Sequence, residues 1–356
     1  MPWLTARFQR ALDRLREKAG FPGATAAFVV ADGRSAVIAT GLEDKEAGTS
    51  MSAGARMPAG SVGKTFVAAV AMGLAREGRL ELDGRIERWL GDRAWFARLP
   101  NGHEITLRHL LTHSAGLEDH YKTEAFAKLL AAGRVTGDPD WHVTPEQAVA
   151  CVLDKKPLFA AGKGFSYTDT GYILVGLIIE KASGSTYYAE VQRRFLDPLE
   201  LKATGPSNRR FITSLAPGYL APANPMGLPI KTVKDEALVF SPASEWTGGG
   251  LCSNPGDLVR WAKALYEGKA MRGDYLTELL TGVPWTGVPE TTYGLGVIIR
   301  NSPLGTHYGH SGWFPGYVTR VMYFPKQRVA VAIQVDTDVA QDVTAHALSL
   351  AKAVLQ

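Results

Sequence analysis

Two short stretches of this sequence carry residues that could break a covalent bond. In "PAGSVGKTF", Pro58 to Phe66, Ser61 is followed three residues later by Lys64, and Gly63-Lys64-Thr65 resembles the end of a phosphate-binding loop. The phosphate reading fails on its own requirements. The motif needs a first glycine where Pro58 stands, and a hydrophobic strand ahead of it, which "KEAGTSMSAGARM" does not supply. Proline has no N–H and a fixed φ, so it cannot serve a loop built from backbone donors.

The serine–lysine pair fits its surroundings better. "VGKTFVAAVAMGLAREG" predicts a buried helix running from Ser61 to near Gly78. Residues three apart share a helix face, so Lys64 projects towards Ser61. Burying an ammonium is costly, so the expectation is a lysine with a lowered pKa or with partners, able to act as general base for the hydroxyl. The alternative is that Ser61 caps the helix and Lys64 reaches solvent. A second Ser-x-x-Lys, Ser349 to Lys352, lies in the last helix and reads as an ordinary surface pair.

His109 and His113 are four apart, but there is no His-Glu-x-x-His and no third ligand, so structural histidines are expected and no metal or cofactor. Trp246 and the run Gly248-Gly249-Gly250 predict a tight turn with a packed aromatic that lines a cleft. Cys151 and Cys252 lie in no metal pattern and read as buried free thiols; a chain of this length needs no disulfide.

These groups need elements to hold them. The chain has 356 residues, 46% hydrophobic and 21% charged, enough for a sizeable core. Its net charge is only +4 and no basic run stands out, which argues against nucleic acid or an anionic membrane as partner. Leu4, Phe8, Leu12 and Leu15 form one stripe of an amphipathic helix, and nothing there is apolar enough for a signal peptide or a membrane span. The expectation is a cytoplasmic protein, or a periplasmic or secreted one whose leader has been removed. "GATAAFVVADG" and "SAVIATGLE" predict a hairpin across Asp32-Gly33-Arg34. Helical patterns dominate from about 105 to 200, as in "ITLRHLLTHSAGL" and "TGYILVGLIIEKASG". Near the end "THYGHSG", "GYVTRVMYFP" and "RVAVAIQVDT" read as strands, followed by a helix over 339–355. The fold class is therefore α+β: an antiparallel sheet built from both chain ends, flanked by helices, with a mostly helical inserted region. The expected domains are 1–80 with 240–356 for the sheet and 81–239 for the helical part, with the site in the cleft between them.

Two further stretches complete a set. "GKGFSYTDTGYILVG" places Tyr167 and Asp169 just before an apolar helix, and "THYGHSGWFPGY" places His310, Ser311 and Gly312 on a strand. With Ser61 and Lys64 these give, in order, Ser-x-x-Lys, Tyr-x-Asp and His-x-Gly. The chain resembles the serine β-lactamase and penicillin-binding-protein superfamily, in particular the class C and D-alanyl-D-alanine carboxypeptidase branch with its esterases and D-aminopeptidases. "LRHLLTHSAGL", "WTGGGLCSNPGDLVRW" and "YGLGVII" resemble its connecting segments, so the likeness covers most of the chain.

The resemblance implies a β-lactamase-like fold and a serine hydrolase working through an acyl-enzyme. It implies Ser61 as nucleophile, Lys64 and Tyr167 as proton-transfer groups, and the backbone N–H groups of Ser61 and Trp313 as the oxyanion hole. Asp169, His310, Ser311 and Gly312 would contact substrate. Two departures bear on the substrate. Asp169 stands where the family often has Asn, so a negative charge is expected at the acyl side. His310 stands where β-lactamases usually carry Lys, and a histidine titrating near 6.5 attracts a carboxylate only in acid. Both favour a β-lactamase-like esterase. The alternatives are a D-alanyl-D-alanine carboxypeptidase, a D-aminopeptidase or weak β-lactamase, and a non-catalytic penicillin-recognising sensor. The partner is a small ester, amide or peptide.

Overall fold

The computed structural model describes residues 1–224, 226–339 and 341–356. Helix α1 (Pro2–Ala19) leads into strands β1 (Gly23–Val29), β2 (Ser35–Asp44) and β3 (Thr49–Ser50). Helices α2 (Lys64–Arg76), α3 (Asp169–Ser183) and α4 (Pro255–Tyr266) are the long helices next to the site. The chain returns to strands β4 (Val283–Pro284), β5 (Thr291–Tyr293), β6 (Ile298–Arg300), β7 (His307–Phe314), β8 (Tyr317–Phe324) and β9 (Val329–Val335), and ends in α5 (Val343–Leu355).

The strands form one nine-stranded sheet in the order β3-β2-β1-β9-β8-β7-β6-β5-β4, with every neighbouring pair antiparallel. β1 pairs with β2 across the expected hairpin and, on its other edge, with β9, from Ala24↔Val335 to Val29↔Ala330. The sheet is thus built from both ends of the chain. β1 and β9 are buried along their whole length because helices cover both faces, which is why they read as apolar runs with little alternation.

α1 and α5 cover one face. Phe8 and Leu12 are fully buried there with Ala347 and Leu350, and Leu4 and Leu15 pack at the margin, so the stripe read from the sequence is the packed face. α5 begins at Val343 rather than 339, where the Asp342 side chain accepts from the Ala345 N–H. The other face carries the larger core. Every residue of α2 from Lys64 to Leu74 is buried, Phe66 stacks on Trp261 at 4.0 Å between ring centroids, and Trp261 Nε1 donates to Thr65 Oγ1.

Three further boundaries differ from expectation for local reasons. Ser61 lies in a 3₁₀ turn, Gly60–Gly63, and α2 proper starts at Lys64. The helix in "LRHLLTHSAGL" covers only Leu107–Leu111, because His113 adopts a positive φ of 56° that ends it. β7 continues through Trp313 and Phe314, and its turn into β8 is only Pro315-Gly316. Cys151 and Cys252 are buried free thiols. Among the described residues no helix is long and apolar enough to cross a membrane.

Candidate active site

The turn bearing Ser61 is wedged between two backbones. The strand Met57–Pro58 pairs with Leu251–Ser253, and the Ala59 N–H donates to the Leu251 carbonyl. Gly60 then turns with φ +54°, and a Cβ there would lie 2.6–2.9 Å from the Trp313 backbone. Opposite it, a Cβ on Gly312 would stand 1.9 Å from the Ala59 carbonyl oxygen. Only glycine at both positions lets the turn and β7 approach this closely.

Lys64, the first residue of α2, reaches back as its spacing requires. Its Nζ donates to Ser61 Oγ at 2.9 Å, to the Gly248 carbonyl and to the Asp169 carboxylate. All three ammonium protons are therefore used, and the side chain has no exposed surface. Burial pushes its pKa down, but the charge of Asp169 and the Tyr167 oxygen outweigh it and hold Lys64 well above the ordinary lysine range. This corrects the expectation of a lysine driven towards neutrality: burial acts as foreseen, and the counter-charge that reverses it sits 105 residues away in sequence. The same contact changes Asp169. Its charge is spent on Lys64, so the site carries an ion pair where a free negative charge was expected.

Tyr167 stands one residue ahead of the Thr168 cap of α3, whose hydroxyl accepts from the Thr170 N–H. Its ring lies 4.1 Å from that of His113 and 5.9 Å from that of Trp285, the latter nearly parallel at 17°. Lys64 Nζ is 5.0 Å from its centroid. Burial pushes the phenol up to about 12 against the pull of Lys64.

His310 is 1% exposed. Its Nδ1 faces the Ser311 carbonyl at 2.6 Å and must carry the proton, which leaves Nε2 to accept from the Tyr293 hydroxyl at 2.8 Å. Burial, and then the nearby Lys64 charge, push it down to about 3. The titration expected near 6.5 is therefore displaced downwards, because burial and the Lys64 charge both disfavour the imidazolium.

Ser311, Gly312 and Trp313 follow on β7. Phe314↔Tyr317 closes the two-residue turn, so Trp313↔Val318 is a pair without mutual hydrogen bonds and the Trp313 N–H points away from β8, to the side where Gly60 lies. β6 pairs no further along than Gly309, which leaves that edge open. The indole itself is 55% exposed.

His109 and His113 serve separate backbone contacts. His109 Nδ1 accepts from the Thr106 N–H in a capping box, and His113 Nδ1 accepts from the Thr168 N–H just after Tyr167. Among the described residues no group of three His, Cys, Asp or Glu side chains could hold a metal. Asp119 is pushed up to about 6 by burial and by Asp169, and Glu245 up to about 8 by burial, so acidic groups gather around the Lys64–Asp169 pair. Sequence reading gave no sign of Trp285 or Tyr293. The Gly248 carbonyl had one signal, the triple-glycine turn, where Gly250 N–H bonds back to the Trp246 carbonyl.

A family model described as Beta-lactamase matches residues 8–355. Penicillin-binding protein 4* of Bacillus subtilis (strain 168) is 27% identical over 279 residues, covering 75% of this chain and 58% of that protein. Esterase EstB of Burkholderia gladioli is 27% identical over 243 residues, covering 64% and 61%. The chain thus spans about three-fifths of the length of these curated relatives. Among solved structures, a D-stereospecific amidohydrolase from Streptomyces sp. superposes with a TM-score of 0.82 at 28% identity, covering 98% of this chain and 97% of that one.

Proposed function

The chain belongs to the beta-lactamase family, and from that premise we propose that it is a serine hydrolase that cleaves small esters and amides through an acyl-enzyme on Ser61. The observation that carries this reading is the hydrogen bond from the enclosed Lys64 ammonium to Ser61 Oγ at 2.9 Å, beside Tyr167. Lys64 donates there, so the hydroxyl proton of Ser61 is left to go elsewhere, and Tyr167 is the neighbouring base.

In the competent form the set of Ser61, Lys64 and Tyr167 has lost one proton, and the Lys64 charge favours the phenolate. Ser61 Oγ attacks the carbonyl carbon as its proton passes to the Tyr167 oxygen. The carbonyl electrons move onto the oxygen, which the N–H groups of Ser61 and Trp313 hold. When the tetrahedral adduct collapses, the bond to the leaving group breaks and Tyr167 returns the proton to the departing oxygen or nitrogen. Water then attacks the acyl-enzyme, gives its proton to Tyr167, and releases the acid with Ser61 reprotonated.

The electrostatics favour one class of substrate. His310 is neutral across physiological pH and offers no cation to a carboxylate, and Asp119 lies close enough to the Lys64–Asp169 pair to feel both charges. An anionic β-lactam is disfavoured. A neutral ester, or an amide or ester whose acyl part carries an amine, is favoured, in keeping with the names of EstB and the D-stereospecific amidohydrolase. Turnover of p-nitrophenyl butyrate, D-phenylalanine p-nitroanilide and nitrocefin tests this. The first two are expected to exceed nitrocefin in kcat/KM. Nitrocefin as best substrate, or stable labelling of Ser61 without turnover of any of the three, overturns the reading.

A further inference from the structure

We infer that Trp285 is a positioning residue for Tyr167, an indole lid that fixes the phenol ring and keeps water from its back; this rests on the reading that Tyr167 carries the proton. Tyr167 lies outside any regular element, immediately before α3. Backbone alone does not fix its ring, and packing must do so. One side is supplied by His113, at 4.1 Å. Trp285 also meets the Tyr167 ring, with ring centroids 5.9 Å apart and planes within 17° of parallel.

Trp285 comes from the far edge of the sheet. It follows β4, and its N–H donates to the Thr291 carbonyl of β5 at 2.9 Å, which anchors it to the hairpin. Around it Gly282, Pro284, Thr286, Gly287, Pro289 and Glu290 are exposed, while Trp285 is half-buried. Its ring also meets Phe165 at 5.1 Å and Tyr293 at 5.8 Å. The one large aromatic of the mostly exposed β4–β5 loop is therefore turned inwards onto the ring next to Lys64. A tryptophan buries a large apolar area at little entropic cost, which suits it to hold another ring still.

Tyr167 is faced by Lys64 from α2, by Asp169 and Tyr172 from α3, by His113 from the loop after Leu107–Leu111, by Tyr293 from β5 and by His310 from β7. None of these comes from the β4–β5 loop, so removing the indole changes the packing and hydration of Tyr167 while leaving its charged neighbours in place.

The test is kcat and kcat/KM for p-nitrophenyl butyrate from pH 6 to 10 in wild type, Trp285→Ala, Trp285→Phe, Ser61→Ala and Trp3→Ala, a loss of indole at an exposed site. Trp285→Ala is expected to lower kcat about 10²-fold with KM little changed, the cost of a misplaced catalytic group. Trp285→Phe is expected to recover most of the rate, and Trp3→Ala to match wild type. Should Trp285→Ala not fold, Trp285→Leu keeps bulk without a flat face and gives the same comparison. A wild-type kcat in Trp285→Ala, or a loss that falls on KM or on thermal stability with kcat unchanged, overturns the role of Trp285 while an inactive Ser61→Ala leaves the hydrolase reading standing. Full turnover by Ser61→Ala would instead overturn that reading.

Discussion

Lys64 and Asp169 form an ion pair in which the ammonium is wholly enclosed while the carboxylate keeps 19% of its side-chain surface exposed. The pair is asymmetric: the lysine depends on the aspartate for its charge, and the aspartate can be re-solvated without it. Asp169→Asn tests this dependence. It leaves an amide oxygen as acceptor but removes the counter-charge that outweighs burial at Lys64. The alkaline inflection of kcat/KM is expected to move to lower pH, and folding to weaken by up to about 3–5 kcal/mol, the range for breaking a buried pair. Discrimination against nitrocefin is expected to relax. An unchanged melting temperature together with an unchanged pH profile would show that the pair does not set the lysine's charge.

The two Ser-x-x-Lys copies provide an internal control for the nucleophile. Ser349 and Lys352 are exposed on α5, whereas Lys64 is enclosed beside Ser61. A fluorophosphonate probe is expected to add one label by intact mass to wild type and Ser349→Ala, and none to Ser61→Ala. Labelling that survives in Ser61→Ala places the nucleophile elsewhere.

Lys64 and Tyr167 are expected to fail as a unit. Lys64→Ala and Tyr167→Phe should each lower kcat by about 10²–10⁴-fold, the range for general acid–base groups. The double variant should be little worse than the poorer single one. If the two factors multiply in a full double-mutant cycle, they act independently and the shared proton is wrong.

Stability should carry a second pH signature, away from the site. Asp336 is fully buried at the end of β9, where its Oδ1 accepts from the Gly23 N–H and its Oδ2 has no partner. Burial pushes it up to about 8. A carboxyl raised on folding takes up a proton, so its contribution is greatest below the unfolded value near 4 and declines as pH rises towards 8. Buried His307 and His310, lowered to about 4 and about 3, oppose this only below 6.5. The melting temperature is therefore expected to fall between pH 6.5 and 8, and Asp336→Asn to flatten that fall. Equal slopes in variant and wild type would rule Asp336 out as its source.

Much of this was legible because the pattern is local. The stripe of α1, the hairpin at Asp32-Gly33-Arg34 and the three last strands follow from periodicity and turn residues within a few positions. Ser61 and Lys64 share a face by helix geometry alone, and that contact is present. What was not legible depends on pairs far apart in sequence. The charge of Lys64 is decided by Asp169, and that of His310 by burial and by Lys64. Trp285 lies in "PWTGVPE", which carries no period and no motif, so only tertiary packing brings its ring onto Tyr167. The end of the helix at Leu111 turned on one backbone angle at His113, a residue type that does not announce it.

The placement of β1 between β2 and β9 makes the sheet wait for the end of this sequence. Ser61, Lys64 and α2 leave the ribosome early, but the backbone that meets Gly60 belongs to Gly312 and Trp313, and the strand that closes β1 is made later still. Gln334 on β9 donates to the Met57 carbonyl just ahead of the Ser61 turn, tying the last strand to the first motif. Until then the growing chain holds a serine without its facing strand and an apolar β1 with an open edge, the kind of edge that invites aggregation. A chain that stops before β9 is left with that edge unpaired. A truncation that removes β9 should therefore yield aggregate rather than a folded protein of lower stability.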